Sequence, residues 1–147
     1  LTERDICPDL QAKDKIDVLK SLVDMLAHRW DDIDKDSVLK ILLQREKLGS
    51  TGTGNGIAIP HGKVDSLSNL RICFGRCKKG VDFDSIDQKP VHLFFLLIAP
   101  ADSIGTHLSV LARISNLLND DKVRQSLLDA RDASEIYQII VGGGKSA

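Results

Sequence analysis

Charge of one sign, aromatic rings and long apolar runs are all scarce in this chain of 147 residues, and each shortage excludes a class of function. Lys and Arg total 20 against 21 Asp and Glu, so the net charge is −1. A protein that neutralises nucleic-acid phosphates carries a basic excess, and a membrane-surface protein carries a basic amphipathic face. Neither pattern is present, and neither a nucleic-acid partner nor direct membrane insertion is expected. Aromatic residues make up 4% of the chain, too few for a base-stacking platform or a sugar-stacking cleft. The longest apolar run, Leu93 to Pro100, is strand-sized and far short of the ~20 residues that a membrane helix needs.

Cysteine is also sparse. Cys7, Cys73 and Cys77 are an odd set without a Cys-x-x-Cys pair, which removes a disulfide framework and a thiolate metal site. On one extended strand Cys73 and Cys77 point the same way but sit more than ~12 Å apart, too far to bridge. All three read as packing residues, and a reducing, cytoplasmic compartment is expected. Leu1 to Asp5 lacks the layout of a signal peptide. At this length one domain spanning 1–147 is the default, with an ordinary core.

Helical periodicity is plain at both ends of the chain. Ile16, Leu19, Leu22, Val23, Leu26 and Trp30 recur at three-to-four-residue spacing over 12–30, marking one buried face. A second helix is predicted over 34–48, burying Val38 and Leu42, with Gly49 as its stop. After Pro100, Leu108, Leu111, Ala112, Ser115 and Leu118 predict a face over 106–119. Asp120 and Asp121 suit the start of a helix that buries Val123, Leu127 and Leu128. Asp132-Ala133-Ser134-Glu135 resembles a capping box before Ile136, and the glycines 142–144 should fray. Between these helices, Leu70 to Arg76 alternates as a strand with one buried face would, and Val91 to Ile98 fits a central strand covered on both faces. The resulting fold class is α+β, a three-layer α/β/α domain with a mixed sheet flanked by helices; the strand order is not legible.

One segment departs from this background. Gly49 to Gly56 holds four glycines in eight positions, then leads through Ile57-Ala58-Ile59 to Pro60-His61-Gly62. Glycines let backbone N–H groups cradle an anion. The run is neither a P-loop, since Asn55 stands where Lys is needed, nor a dinucleotide turn, since a strand follows rather than a helix. A plain hairpin remains the alternative. His61, fixed by Pro60 and left open by Gly62, is the candidate nucleophile, because a neutral imidazole keeps a free nitrogen near neutral pH. His107, near a helix start, either binds a phosphoryl oxygen or is a surface histidine. Arg45, ending the second helix, either clamps phosphate or complements the helix dipole. His28 and His92 receive no role. No metal-ligand spacing and no nucleophile elbow is present, so no metal and no cofactor is expected.

The stretch Arg45-Glu46-Lys47-Leu48 through Gly49 to Gly56 and on to Pro60-His61-Gly62-Lys63 resembles the active-site motif of the enzyme IIA family of the bacterial phosphotransferase system, fructose/mannitol type. Phe83 to Val91 and Thr106-His107-Leu108 resemble its nitrogen-regulatory branch. The resemblance implies a phosphotransferase that takes a phosphoryl group from an HPr-like carrier onto Nε2 of His61, with His107 and Arg45 stabilising it. It further implies a regulatory protein switched by its phosphorylation state, or alternatively a sugar-transport component that passes phosphate to an enzyme IIB. Thr53 stands where relatives often carry an aliphatic residue.

Overall fold

The computed structural model describes residues 1–142, the side chain of Ile104 excepted. Each of the first two helices begins at an aspartate cap. Asp14 accepts the Asp17 amide at 2.8 Å and starts α1 (Lys15–Arg29); Asp34 accepts the Ser37 amide at 3.4 Å and starts α2 (Lys35–Lys47). The helix expected over 12–30 therefore starts later. Its inner face is Val18, Leu19, Leu22, Val23 and Leu26, whereas Ile16, one residue past the helix start, is 47% exposed. Trp30 is half-buried at the C-cap, with the guanidinium groups of Arg29 and Arg71 at 4.4 and 3.9 Å from its ring centre.

The sheet is built around one long antiparallel pair, β5 (Arg71–Val81) and β6 (Val91–Ala99). On the free edge of β5 lies β1 (Ile6–Cys7), parallel to it and preceded by a capped 3-10 turn, Glu3–Asp5; neither element has enough residues to announce itself by periodicity. On the other edge of β6 run β3 (Ile57–Ala58) and then β4 (His61–Lys63), both parallel to it, and β2 (Gly52–Gly54) pairs antiparallel with β3. The sheet is thus mixed and six-stranded, in the order β1-β5-β6-β3-β2 with β4 also on β6.

Alternation along β6 divides the core in two. Phe94, Leu96 and Ile98 pack under α1 and α2, while Leu93 and Phe95 meet α3 (Ile104–Leu118), α4 (Asp121–Asp129) and α5 (Ala133–Gly142) on the opposite face. Each such Leu or Phe contributes about 1.5–3 kcal/mol by leaving water. The three-layer architecture is the one expected. Burial on both faces also explains why β5 does not alternate: every residue from Cys73 to Cys77 is buried.

The phase of α3 differs from the expectation. The helix begins two residues earlier than Thr106, and its buried positions are His107, Ile114 and Leu118, with Val110, Leu111 and Leu117 partly covered. Leu108 is 60% exposed, and Ala112 and Ser115 face water. The expected face is right at Leu111 and Leu118 and wrong at Leu108, Ala112 and Ser115, because a histidine that apolar counting passes over occupies the first buried turn. The C-terminal helices follow the expected pattern, Val123, Leu127 and Ile136 being buried. Of the glycines expected to fray, Gly142 ends α5, and 143–144 lie outside the described residues. No helix among the described residues is long and apolar enough to cross a membrane.

Candidate active site

The Gly-rich run folds as a hairpin. Asn55 and Gly56 form a two-residue loop with φ of 60° and 76°, the positive pair that a type I′ turn demands, and they join β2 to β3. Asn-Gly between short extended runs is the sequence signal for this turn, and it was there to be read. The glycines of the run do not cradle an anion beside His61. Added Cβ atoms at Gly52 and Gly54 would meet Ser85 and Asp87, at Gly56 His92. The Asn55 amide donates to the Asp87 carboxylate at 3.1 Å. The hairpin is therefore packed against the 83–92 segment, where the Gly52 and Gly56 carbonyls accept the Ile86 and His92 amides, while the Gly52 amide donates to Ser50 Oγ.

The end of the run aims at a different place. Pro60 separates β3 from β4, and His61 is the first residue of β4, opposite Leu97 of the central strand. Gly62 permits a close approach of α2: a Cβ there would lie 2.8 Å from Ile41 Cγ2. Its absence of a side chain therefore serves helix packing as well as access, and it brings the last turn of α2, with Arg45, beside His61. The two side chains share a pocket of about 650 Å³ with Lys63, His107, Gln44 and an apolar wall that includes Leu48 and Leu108. The structure thus brings together all three residues singled out from the sequence. His28 lies in a separate cavity of about 620 Å³ beside Arg4, Arg29 and Cys7, where burial pushes the Cys7 thiol further from ionising. His92 is half-buried, its Nδ1 3.1 Å from the Cys77 carbonyl oxygen.

His61 Nδ1 lies 2.7 Å from the carbonyl oxygen of Ile59. A carbonyl only accepts, so Nδ1 carries the proton and Nε2 keeps its lone pair. Burial, reinforced by the Arg45 charge and opposed by the Ile59 bond and Glu46, holds His61 below the ordinary value of 6.5. The ring is therefore neutral at neutral pH. His107 stands edge-on to it, with ring centres 5.6 Å apart at 75°. Burial, followed by the charges of His61 and Lys63, lowers His107 as well. Only 5% of His107 is exposed, and its buried Nδ1 has no hydrogen-bond partner among the described residues. Arg45 donates through Nη1 to the Gly49 carbonyl at 2.8 Å, one contact of a five-donor group. The neutral imidazole of His61, the His107 ring edge-on to it and a guanidinium with spare donors can together receive and hold a phosphoryl group.

Sequence reasoning passed over a buried carboxylate next to these groups. Glu46 accepts from the Thr51 amide at 3.1 Å and from its hydroxyl, and pairs with Lys15 Nζ at 2.8 Å. A glutamate at the end of a helix reads as a solvated charge. Only its place on the inner side of α2 shows otherwise.

The chain and its fold have known relatives. Residues 1–142 match the model of the family described as phosphoenolpyruvate-dependent sugar phosphotransferase system, EIIA 2. A nitrogen regulatory protein of Bradyrhizobium diazoefficiens is 41% identical over 135 residues, covering 92% of this chain and 88% of the relative. The fructose-specific EIIABC component of Bacillus subtilis is 39% identical over 140 residues, 95% of this chain but 22% of that longer protein. The crystal structure of nitrogen regulatory protein IIA-Ntr from Neisseria meningitidis superposes with a TM-score of 0.89 at 32% identity, covering 95% of this chain and 94% of that one. Matched along nearly its whole length in sequence and fold, the chain belongs to the EIIA type 2 family of the phosphoenolpyruvate-dependent phosphotransferase system.

Proposed function

We propose that this protein is a phosphohistidine carrier that accepts a phosphoryl group from an HPr-like protein on Nε2 of His61 and acts mainly as a metabolic regulator through its phosphorylation state. The observation that carries the reading is the 2.7 Å contact of His61 Nδ1 with the Ile59 carbonyl, which leaves Nε2 as the nucleophile. In the transfer, the N–P bond of the donor phosphohistidine breaks as the Nε2–P bond forms, and the electron pair of the broken bond returns to the donor ring. His61 keeps its Nδ1 proton throughout. The phosphorylated ring becomes cationic, so its bond to Ile59 becomes charge-assisted and stronger. Arg45 and His107 stabilise charge on the equatorial oxygens, since phosphoryl transfer depends mainly on positioning and electrostatics. No metal or cofactor enters the proposal.

The phosphoryl group adds roughly −1.5 to −2 charges, enough to make or break a protein contact beside the exposed Leu48 and Leu108. Regulation is favoured by likeness to nitrogen regulatory proteins over nearly their full length. A second reading, transfer to an enzyme IIB, rests on the comparable identity to the EIIABC component. The test is incubation with phosphoenolpyruvate, enzyme I and HPr-type carriers, followed by location of the label. Label on His61 Nε2 supports the carrier role; label elsewhere, or none, overturns it. Fast onward transfer to a IIB protein with sugar phosphorylation replaces the regulatory reading with the transport one.

A further inference from the structure

A line of hydrogen bonds connects a buried ion pair to the ring of His61. Lys15, the first residue of α1, places Nζ 2.8 Å from Glu46 Oε1 and 3.6 Å from Asp84 Oδ2, and it lies 4.9 Å from the centre of the Phe83 ring. Glu46 is 8% exposed and Thr51 is 4% exposed, and the carboxylate holds both the amide and the hydroxyl of Thr51. The Thr51 carbonyl in turn accepts the Ile59 amide at 3.1 Å. Ile59 then presents its own carbonyl to His61 Nδ1.

Buried carboxylates are costly and are retained only when fully bonded. Glu46 meets that condition with a lysine, an amide and a hydroxyl. A Gly-rich strand just two residues from a turn has little intrinsic stiffness, because glycine restricts the backbone least. Something outside the hairpin must therefore set where the Ile59 carbonyl sits, and Pro60, fixed in φ, carries that setting on to His61.

We propose that Glu46, acting through Thr51 and Ile59, is a positioning residue that fixes the proton of His61 on Nδ1 and the lone pair on Nε2. Neither Glu46 nor Thr51 lines the His61 pocket, so neither touches the phosphoryl group. Besides the charge by which Glu46 favours the protonated ring, their influence is on the tautomer and ring angle of the nucleophile. The inference rests on His61 being the phosphoryl acceptor, but its first readout does not need a donor.

The experiment compares wild type with Glu46→Gln, Thr51→Val and Thr51→Ser. Ring-nitrogen NMR of the unphosphorylated protein, above the pKa of His61, reports the tautomer directly. The wild type and Thr51→Ser are expected to show Nδ1–H alone, while Glu46→Gln and Thr51→Val show a mixture with Nε2–H. Phosphate uptake from an HPr-type donor should fall about tenfold to a hundredfold in the same two variants, as misplacement of a reacting group does, with donor binding unchanged. Thr51→Val keeps the shape of the side chain and tests the idea should Glu46→Gln fail to fold. Folded variants with an unchanged His61 tautomer would overturn the proposal, as would equal losses in Thr51→Ser and Thr51→Val. A wild type that shows the single tautomer yet takes no phosphate would instead overturn the carrier function and leave the positioning intact.

Discussion

Arg76 and the His61–His107 pair put buried polar groups on opposite faces of one logic. Arg76, on β5, is fully buried without a carboxylate. Its guanidinium donates to the carbonyls of Pro8 at 2.9 Å, Leu127 at 2.9 Å, Leu128 at 3.4 Å and Ala130 at 2.6 Å. These groups tie the N-terminal segment and the end of α4 to the sheet, and the negative end of a helix suits the cation. Among the described residues Arg76 Nη2 is buried and unpartnered, as His107 Nδ1 is, so what sets the pocket apart is Arg45, which spends one bond on Gly49 and lies beside the half-buried His61. Donor capacity that Nε and Nη1 of Arg76 spend on the chain's own carbonyls builds the fold. Capacity left open beside a nucleophile builds a site.

The comparison breaks most directly at His61. His61→Ala is expected to abolish phosphate uptake while leaving the thermal unfolding midpoint nearly unchanged, because the half-buried ring makes one contact to the chain's own backbone. A variant that still takes the label would end the assignment. Arg76→Met should do the reverse. It leaves four carbonyls without their donor and is expected to cost roughly 3 kcal/mol of stability, measured by urea unfolding, while the folded fraction still takes phosphate. An unchanged midpoint would show that Arg76 is dispensable to the fold.

Arg45→Gln and His107→Gln fall between these extremes. Each removes a donor from the pocket, and each should slow transfer by about tenfold to a hundredfold, in the range seen when one oxyanion-binding donor is lost. His61 should remain the labelled residue, and the unfolding midpoint should hardly move. If His107→Gln lost stability but kept its rate, its burial on α3 would be a packing feature like that of Arg76.

Much of this contrast was legible in the residues, and what was not has identifiable causes. The helices, the central strand and the layers followed from periodicity, since apolar spacing and burial are one fact. His61 was marked by Pro60, Gly62 and the Gly-rich run before them, whereas local sequence left Arg45 and His107 open to a helix-end or surface role and only the family resemblance favoured a phosphoryl role. The strand order was not legible, because β1, β3 and β4 have two or three residues each and owe their pairing to β5 and β6. The burial of His107 was hidden by the phase of α3. Glu46 and Arg76 were hidden for a shared reason: a charged residue is buried only when distant backbone or side-chain groups meet it, and neither Thr51 nor the end of α4 is marked for that in the sequence.

The smallest expected effect is on pH, and it tests the pocket's open character most closely. His61 and His107 are both held below 6.5 in the folded protein, chiefly by burial. Between the folded and unfolded values the unfolded chain binds more protons, so stability rises with pH and is lost as pH falls below about 6.5. Uptake should follow the same direction: Nε2 stays unprotonated through the ordinary histidine range, and the acid limb of the rate profile falls below it. His107→Gln removes one of the two nearby groups that charge on acidification, and should move the His61 midpoint upward. NMR titration of both rings checks this. A midpoint for His61 at or above 6.5 would mean that the ring is solvated and the pocket is no more desolvated than open surface, and the contrast with Arg76 would then rest on bonding alone.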